Sequence, residues 1–138
     1  MAAYVLDSSA ILCLLLDEQG AQDVLRLLHE ANHEDSPEVL VPFIALMEVE
    51  YWLLRGLPAE QVAGIMLQLE SWPVKVVESS PGWRHQAARV KADITLSVAD
   101  AWIAALAIIH DAQLVHKDPE FNKIPGLKVL QLPYETES

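Results

Sequence analysis

Tyr4-Val5-Leu6-Asp7-Ser8-Ser9-Ala10-Ile11-Leu12 passes from an apolar triplet into a helix-forming run, with one carboxylate between the two. Tyr4-Val5-Leu6 has the length and side chains of a short buried strand, and Ser8 or Ser9 can cap a helix whose first turns are Ala10-Ile11-Leu12. Asp7 then stands at a strand-to-helix junction. In an open parallel sheet such junctions lie at the edge where ligands bind. The plainer reading is that Asp7 only caps the helix, since Asp is a favoured cap and suits the helix dipole. The balance shifts if the chain repeats this arrangement.

It does. Asp17-Glu18-Gln19-Gly20 is a polar break, with Gly20 as the expected helix stop. Ala21 to Glu34 reads as an amphipathic helix with Val24, Leu25 and Leu28 on one stripe. Val39-Leu40-Val41 is a second strand, Pro42 opens the next helix, and Phe43 to Arg55 is apolar on most sides. After Gly56-Leu57-Pro58 a helix over Ala59 to Trp72 carries Val62, Ile65, Met66 and Leu69 on one face. Val74 to Val77 is a third strand. Pro81 opens a helix to about Asp93, a solvated end. Ser97 caps the next helix, which places Asp100 in its first turns and continues to His110-Asp111. Gln113 to His116 is a fourth strand with Lys117-Asp118-Pro119 at its carboxyl end, so Asp118 repeats the placement of Asp7. Pro125-Gly126 makes a turn before a fifth, edge strand over Lys128 to Leu132. Strands alternating with helices predict an α/β chain, a three-layer α/β/α sandwich around a parallel sheet of four or five strands.

A chain of 138 residues, 52% of them apolar, is expected to form a single domain, residues 1–138. No apolar run approaches the roughly 18 residues of a membrane span, so no membrane partner is expected. No basic segment with a long apolar stretch opens the chain, and a cytoplasmic location is the expectation. Cys13 is the only cysteine, which excludes an internal disulfide or a cysteine-rich zinc site; its apolar setting predicts a buried, inert thiol. The formal charge of −11 is the hardest feature to reconcile with nucleic acid, whose binding depends on Lys and Arg neutralising phosphates. Either the partner is basic or neutral, or much of the acid is gathered where a cation neutralises it. Arg84, Arg89 and Lys91 form one basic group near the later acids, and Lys117, Lys123 and Lys128 another.

Glu48 and Glu50 stand in the apolar helix, where an unpaired charge is rarely fully buried. Periodicity does not choose between them. Together with Asp7, Asp100 and Asp118 they suggest a constellation. Two charges about 5 Å apart repel by roughly 3 kcal/mol at an effective dielectric of 20, and four acids contain six such pairs. Such a cluster takes up protons or a cation to coexist with a domain stability of roughly 5 to 15 kcal/mol. Carboxylates with no Cys and no His at ligand spacing favour a hard ion, Mg²⁺ or Mn²⁺, which binds phosphates and activates water.

Four motifs in order, Val5-Leu6-Asp7-Ser8-Ser9-Ala10, Phe43-Ile44-Ala45-Leu46-Met47-Glu48-Val49, Leu96 to Ala107 with Asp100 inside it, and Leu114-Val115-His116-Lys117-Asp118-Pro119-Glu120-Phe121, resemble those of PIN-domain ribonucleases, particularly VapC-type toxins. The likeness spans nearly the whole chain. It implies a PIN-like fold, Mg²⁺- or Mn²⁺-dependent cleavage of RNA, an antitoxin that blocks the site, and a homodimer. It also implies that Asp7, Glu48, Asp100 and Asp118 form the acidic, metal-holding quartet, with Ser9 a hydroxyl beside it, and so selects Glu48 over Glu50. One departure stands out: the family usually has Thr or Ser two residues before the last acid, where this chain has His116. An imidazole there can bond a carboxylate or phosphate, or act as an acid; metal ligation is its less favoured role.

Other readings of an open parallel sheet fit less well. A receiver-type phosphoacceptor wants adjacent acids after the first strand, where Ser8-Ser9 stand, and a haloacid-dehalogenase-type phosphatase wants Asp at the position of Ser9. No Gly-rich phosphate loop is present. The rival from a different class is a non-catalytic PIN-like module whose acidic pocket holds a cation or a basic peptide.

Overall fold

The apolar triplets become five strands running in one direction. A computed structural model describes residues 3–133. Its strands are β1 (Tyr4–Leu6), β2 (Val39–Pro42), β3 (Lys75–Val77), β4 (Gln113–His116) and β5 (Lys128–Gln131), all paired in parallel in the order β3-β2-β1-β4-β5. The helices are α1 (Ser8–Leu15), α2 (Ala21–Ala31), α3 (Phe43–Leu54), α4 (Ala59–Leu69), α5 (Pro81–Asp93) and α6 (Val98–Ile109).

This order and right-handed crossovers together fix the face that each helix covers. The steps β1 to β2 and β2 to β3 move one way across the sheet, so α1 to α4 fall on one face; the return from β3 to β4 puts α5 and α6 on the other. The strands show the same two-sidedness at their period of two. Leu6, Val39, Val41 and Val115 pack with Ala10, Ile11, Val24 and Val49, whereas Val5, Leu40 and Leu114 pack with Trp83, Ala87, Ile103 and Ala104. The Ala-rich inner face of α6, Ala104 and Ala105 included, is fully buried and lets that helix lie close on the sheet.

Several local expectations are corrected. Neither Ser8 nor Ser9 caps α1: the cap is Asp7, which takes the Ala10 N–H at 3.1 Å, and both serines lie inside the helix. Gly20 does not stop α1, which ends at Leu15 with Leu16 as its cap; it starts α2, at φ +101°. α2 stops at Ala31 rather than Glu34, α4 at Leu69 rather than Trp72, and α6 at Ile109. A 3₁₀ turn over Pro119–Lys123, capped by the Asp118 side chain, was not expected. Ser80 and Ser97 cap α5 and α6, and β5 is an edge strand, as read from the sequence; β3 forms the other edge.

Candidate functional site

Strand order reverses between β1 and β4, and the crevice at that switch point, outside the carboxyl ends of the strands, is where open α/β sheets take ligands. Asp7 directly follows β1 and Asp118 lies two residues beyond β4. α3 and α6 both begin at this same edge, because each follows or leads back to a strand; they bring in Glu48 from the second turn of α3 and Asp100 from the first turn of α6.

Asp7 is the best defined. It is buried, and its Oδ1 accepts from the Ser9 hydroxyl at 2.7 Å and the Ala10 N–H at 3.1 Å. Both bonds fall on Oδ1, so among the described residues Oδ2 carries none of the side chain's hydrogen bonds. Burial pushes its pKa up to about 7; the two hydrogen bonds oppose that shift, and the charges of Asp100 and Glu48 add to it. Ser9 also receives the Lys117 N–H at 2.9 Å, and the Asp7 N–H donates to the Val115 carbonyl at 3.2 Å. One hydroxyl therefore clamps the β4 exit to the carboxylate at the β1 exit.

Glu48 is half-buried and Glu50 exposed, which separates the two positions that periodicity left equal. Glu48 Oε1 is buried with no hydrogen-bond partner. Burial and then Asp100 hold the Glu48 pKa above the usual range, with the Ser8 hydroxyl pulling the other way. Asp100 is raised by burial first; the hydroxyl of Ser97 opposes this, Asp118 and Glu120 add to it, and Lys123 lowers it. The four acids thus form a chain of mutual electrostatic influence, Asp7 with Glu48 and Asp100, and Asp100 with Asp118. Among the described residues, however, no three metal-ligating side chains stand close enough to make a ready-formed metal cage.

The sequence reading gave no place at the acids to Ser8 or Glu120 and put Lys123 only in a basic group near them; Ser8 acts on Glu48, and Glu120 and Lys123 act on Asp100. The Asp118-Pro119 cap signature was the available signal for the turn that brings in the latter two.

Among the described residues, His116 bonds the backbone and no carboxylate side chain. It is wholly buried, and its Nδ1 accepts the backbone N–H of Asp118 at 3.0 Å. That bond puts the proton of the neutral ring on Nε2, which is buried without a partner. Burial lowers its pKa, which keeps the ring neutral near pH 7, with Phe121 edge-on at 5.2 Å.

A recess of about 630 Å³ runs beside these acids without including them. Leu12, Leu16, Trp52 and Leu57 line it, and it meets the site through Ser8 and Ser9.

A family model described as PIN domain matches residues 4–127. No curated protein matches the chain in sequence. Among solved structures, a chain of VapBC2 from Rickettsia felis bound to a promoter DNA fragment superposes with a TM-score of 0.76 at 20% identity, covering 95% of this chain and 99% of that one. A chain of DNA-bound VapBC from Salmonella typhimurium gives 0.76 at 18% identity, with 95% and 98% covered. Mycobacterium tuberculosis VapC20, a toxin that cleaves the sarcin-ricin loop, gives 0.65 at 17% identity, with 87% and 93% covered.

Proposed function

The chain belongs to the PIN domain family, and from that premise we propose that it is a divalent-metal-dependent endoribonuclease, the toxin of a toxin–antitoxin pair. The observation that carries the reading is that Asp7, Glu48 and Asp100, at the switch-point edge, are each held above the ordinary pKa by burial and by another acid, with Asp118 acting on Asp100. A group of carboxylates destabilised in this way, with one oxygen of Glu48 buried and unpartnered, is chemically matched to a hard cation.

Asp7, Glu48, Asp100 and Asp118 would hold that ion, Mg²⁺ or Mn²⁺. When bound, it supplies charge to offset the acids and Lewis acidity toward water and phosphate oxygens. The chain's own contribution is to fix the donors. Ser9 turns Asp7 so that Oδ2 is left for a ligand, and the imidazole of His116 holds the backbone of Asp118. Ser97, bonded to the Asp100 N–H at 3.1 Å, sets the first turn of α6. Glu48, with one oxygen lacking a partner, is suited to orienting a water.

The 630 Å³ recess supports an antitoxin partner. Its walls are apolar, Glu18 stands on its rim, and it opens on the serines beside Asp7, so a basic amphipathic segment lying there would close the site. Met47, Leu67 and Val76, large apolar side chains left exposed, support a homodimer.

The test is to incubate the protein with mixed RNA and Mg²⁺ or Mn²⁺, alongside Asp7→Asn and a chelator control. Cleavage is expected in the wild type alone. Cleavage that persists in both controls ends the mechanism. No cleavage with retained ion binding favours the second reading, a non-catalytic module, whose support is the net charge of −11.

A further inference from the structure

The basic side chains of this acidic chain are not equally free. Lys117 pairs with Glu18 at 3.3 Å, Lys123 with Glu120 at 2.7 Å and Lys128 with Asp111 at 2.8 Å, so the whole basic group around β4 and β5 is already neutralised. On α5, by contrast, Arg84 enters no ion pair among the described residues. Lys91 directs its ammonium to the Leu96 carbonyl at 2.7 Å, which leaves its charge uncompensated. Arg84, Ala88 and Lys91 recur at helical spacing and share one face. They line a shallow recess of about 150 Å³ with Val98 and Trp102 of α6.

Arg84 and Trp102 also line a second recess of about 300 Å³, with Phe43, Ser80 and Pro81. The two recesses adjoin at Arg84 and Trp102, which line both, and together they are called the trough. Phe43 and Trp102, which line it, stand edge-on to each other and to the buried Trp83, with ring centres 4.9 to 5.6 Å apart. The Trp83 indole N–H donates to the Trp102 carbonyl at 2.7 Å. Trp102 is half-buried, and its own indole N–H takes part in none of the hydrogen bonds. It follows Asp100 by two residues, about 3 Å along the helix axis, on the opposite flank of α6.

We propose that this trough is a subsite for single-stranded RNA, in which an unstacked base lies against Trp102 and the adjoining phosphate meets Arg84. The inference rests on the nuclease reading for its substrate. Free cations beside an aromatic platform are what an unpaired strand requires: stacking serves any base, and the guanidinium serves the phosphate. The trough also answers the electrostatic objection. Arg84 and Lys91 give a polyanion approaching a chain of charge −11 two uncompensated cations on one face of α5, and a strand crossing the start of α6 from there reaches Asp100.

The experiment measures binding without cleavage. Full-length Asp7→Asn protein is titrated into a labelled single-stranded RNA of mixed sequence, followed by fluorescence anisotropy over a salt series. Arg84→Glu should weaken binding about tenfold and shallow the plot of log K against log salt by about 0.7, the value for one phosphate on a single strand. Trp102→Ala should weaken it about five- to a hundredfold, with Trp102→Phe restoring most of the loss. Arg89→Glu, on another face of α5, should change it less than about twofold, since it reaches no phosphate in the trough. Equal loss in Arg84→Glu and Arg89→Glu, or none in either, overturns the subsite while leaving the nuclease intact. So does an affinity of the Asp7→Asn protein itself too weak to measure. Arg84-dependent binding in a wild type that cleaves nothing keeps the subsite and removes the nuclease. If Arg84→Glu changes the sedimentation of the protein but not its RNA affinity, the trough is a protein contact and the proposal is wrong.

Discussion

Asp7 carries most of the site's tension. Its pKa is 3.8 in an open chain and about 7 when folded, so between those values the folded protein binds more protons than the unfolded one. Its contribution to stability therefore falls as pH rises from about 4 to about 7, and the full cost remains above that. The gap between the two values corresponds to about 4 kcal/mol at most. Without divalent ions, Asp7→Asn should then melt higher than the wild type at pH 8, with the two converging near pH 4. Asn keeps an oxygen to accept the Ser9 and Ala10 bonds, so the difference reads the charge. Thermal scans across this range check it, and parallel profiles would show that Asp7 is not buried as a charge. Ser9→Ala acts in the opposite sense. It removes both the donor to Asp7 and the acceptor of the Lys117 N–H, and should cost about 1 to 3 kcal/mol. With that donor gone Asp7 titrates higher still, so the pH at which stability levels off moves up.

At the scale of elements, Gly20 joins α1 to α2 at φ +101°, and a Cβ there would lie 3.1 Å from Pro133 Cδ and 3.3 Å from Leu132 Cβ. Gly20→Ala meets both an unfavourable backbone and the chain leaving β5. It should lower stability by about 1 to 3 kcal/mol in denaturant titration, with RNA cleavage unchanged per folded molecule. A neutral result would mean that the β5 exit yields. The sequence placed Gly20 at this junction but gave it the wrong duty, because a helix stop and a left-handed helix start look alike without knowing what packs on them. The strands were legible because Val39-Leu40-Val41 and Leu114-Val115 are apolar and rich in β-branched Val between polar breaks. Helix ends were not, since frayed turns such as Asn32 to Glu34 keep a helical composition. Within the site, Asp7 and Asp118 could be placed from strand ends. Periodicity left Glu48 and Glu50 equal; the resemblance chose Glu48, and the packing of α3 half-buries it while exposing Glu50. The clamp from Ser9 to Lys117 spans 108 residues and leaves no local pattern to read. His116 was singled out in the sequence but its bond was not: the partner is a backbone N–H two residues away, fixed by the geometry of the turn.

For the molecule as a whole, the question is whether its −11 charge is spread evenly or focused at one edge of the sheet. The surface ion pairs decide little, since exposed pairs are worth about 0 to 1 kcal/mol each. A divalent ion separates the two cases, because an evenly acidic surface responds to it mainly as to ionic strength, whereas a focused site binds it. At an ion concentration about 100-fold above Kd, binding contributes about 2.7 kcal/mol, which raises the melting temperature of a chain this size by roughly 5 to 10 °C. Asp100→Asn removes a charge from the focus, and Glu34→Gln removes one from the exposed surface after α2. At matched ionic strength, Mg²⁺ or Mn²⁺ should lift the wild type and Glu34→Gln alike and Asp100→Asn distinctly less. Equal shifts in all three proteins would mean that the acids at the β1 and β4 exits act independently. The convergence on which the nuclease reading depends would then be gone, with the parallel sheet and its handedness untouched.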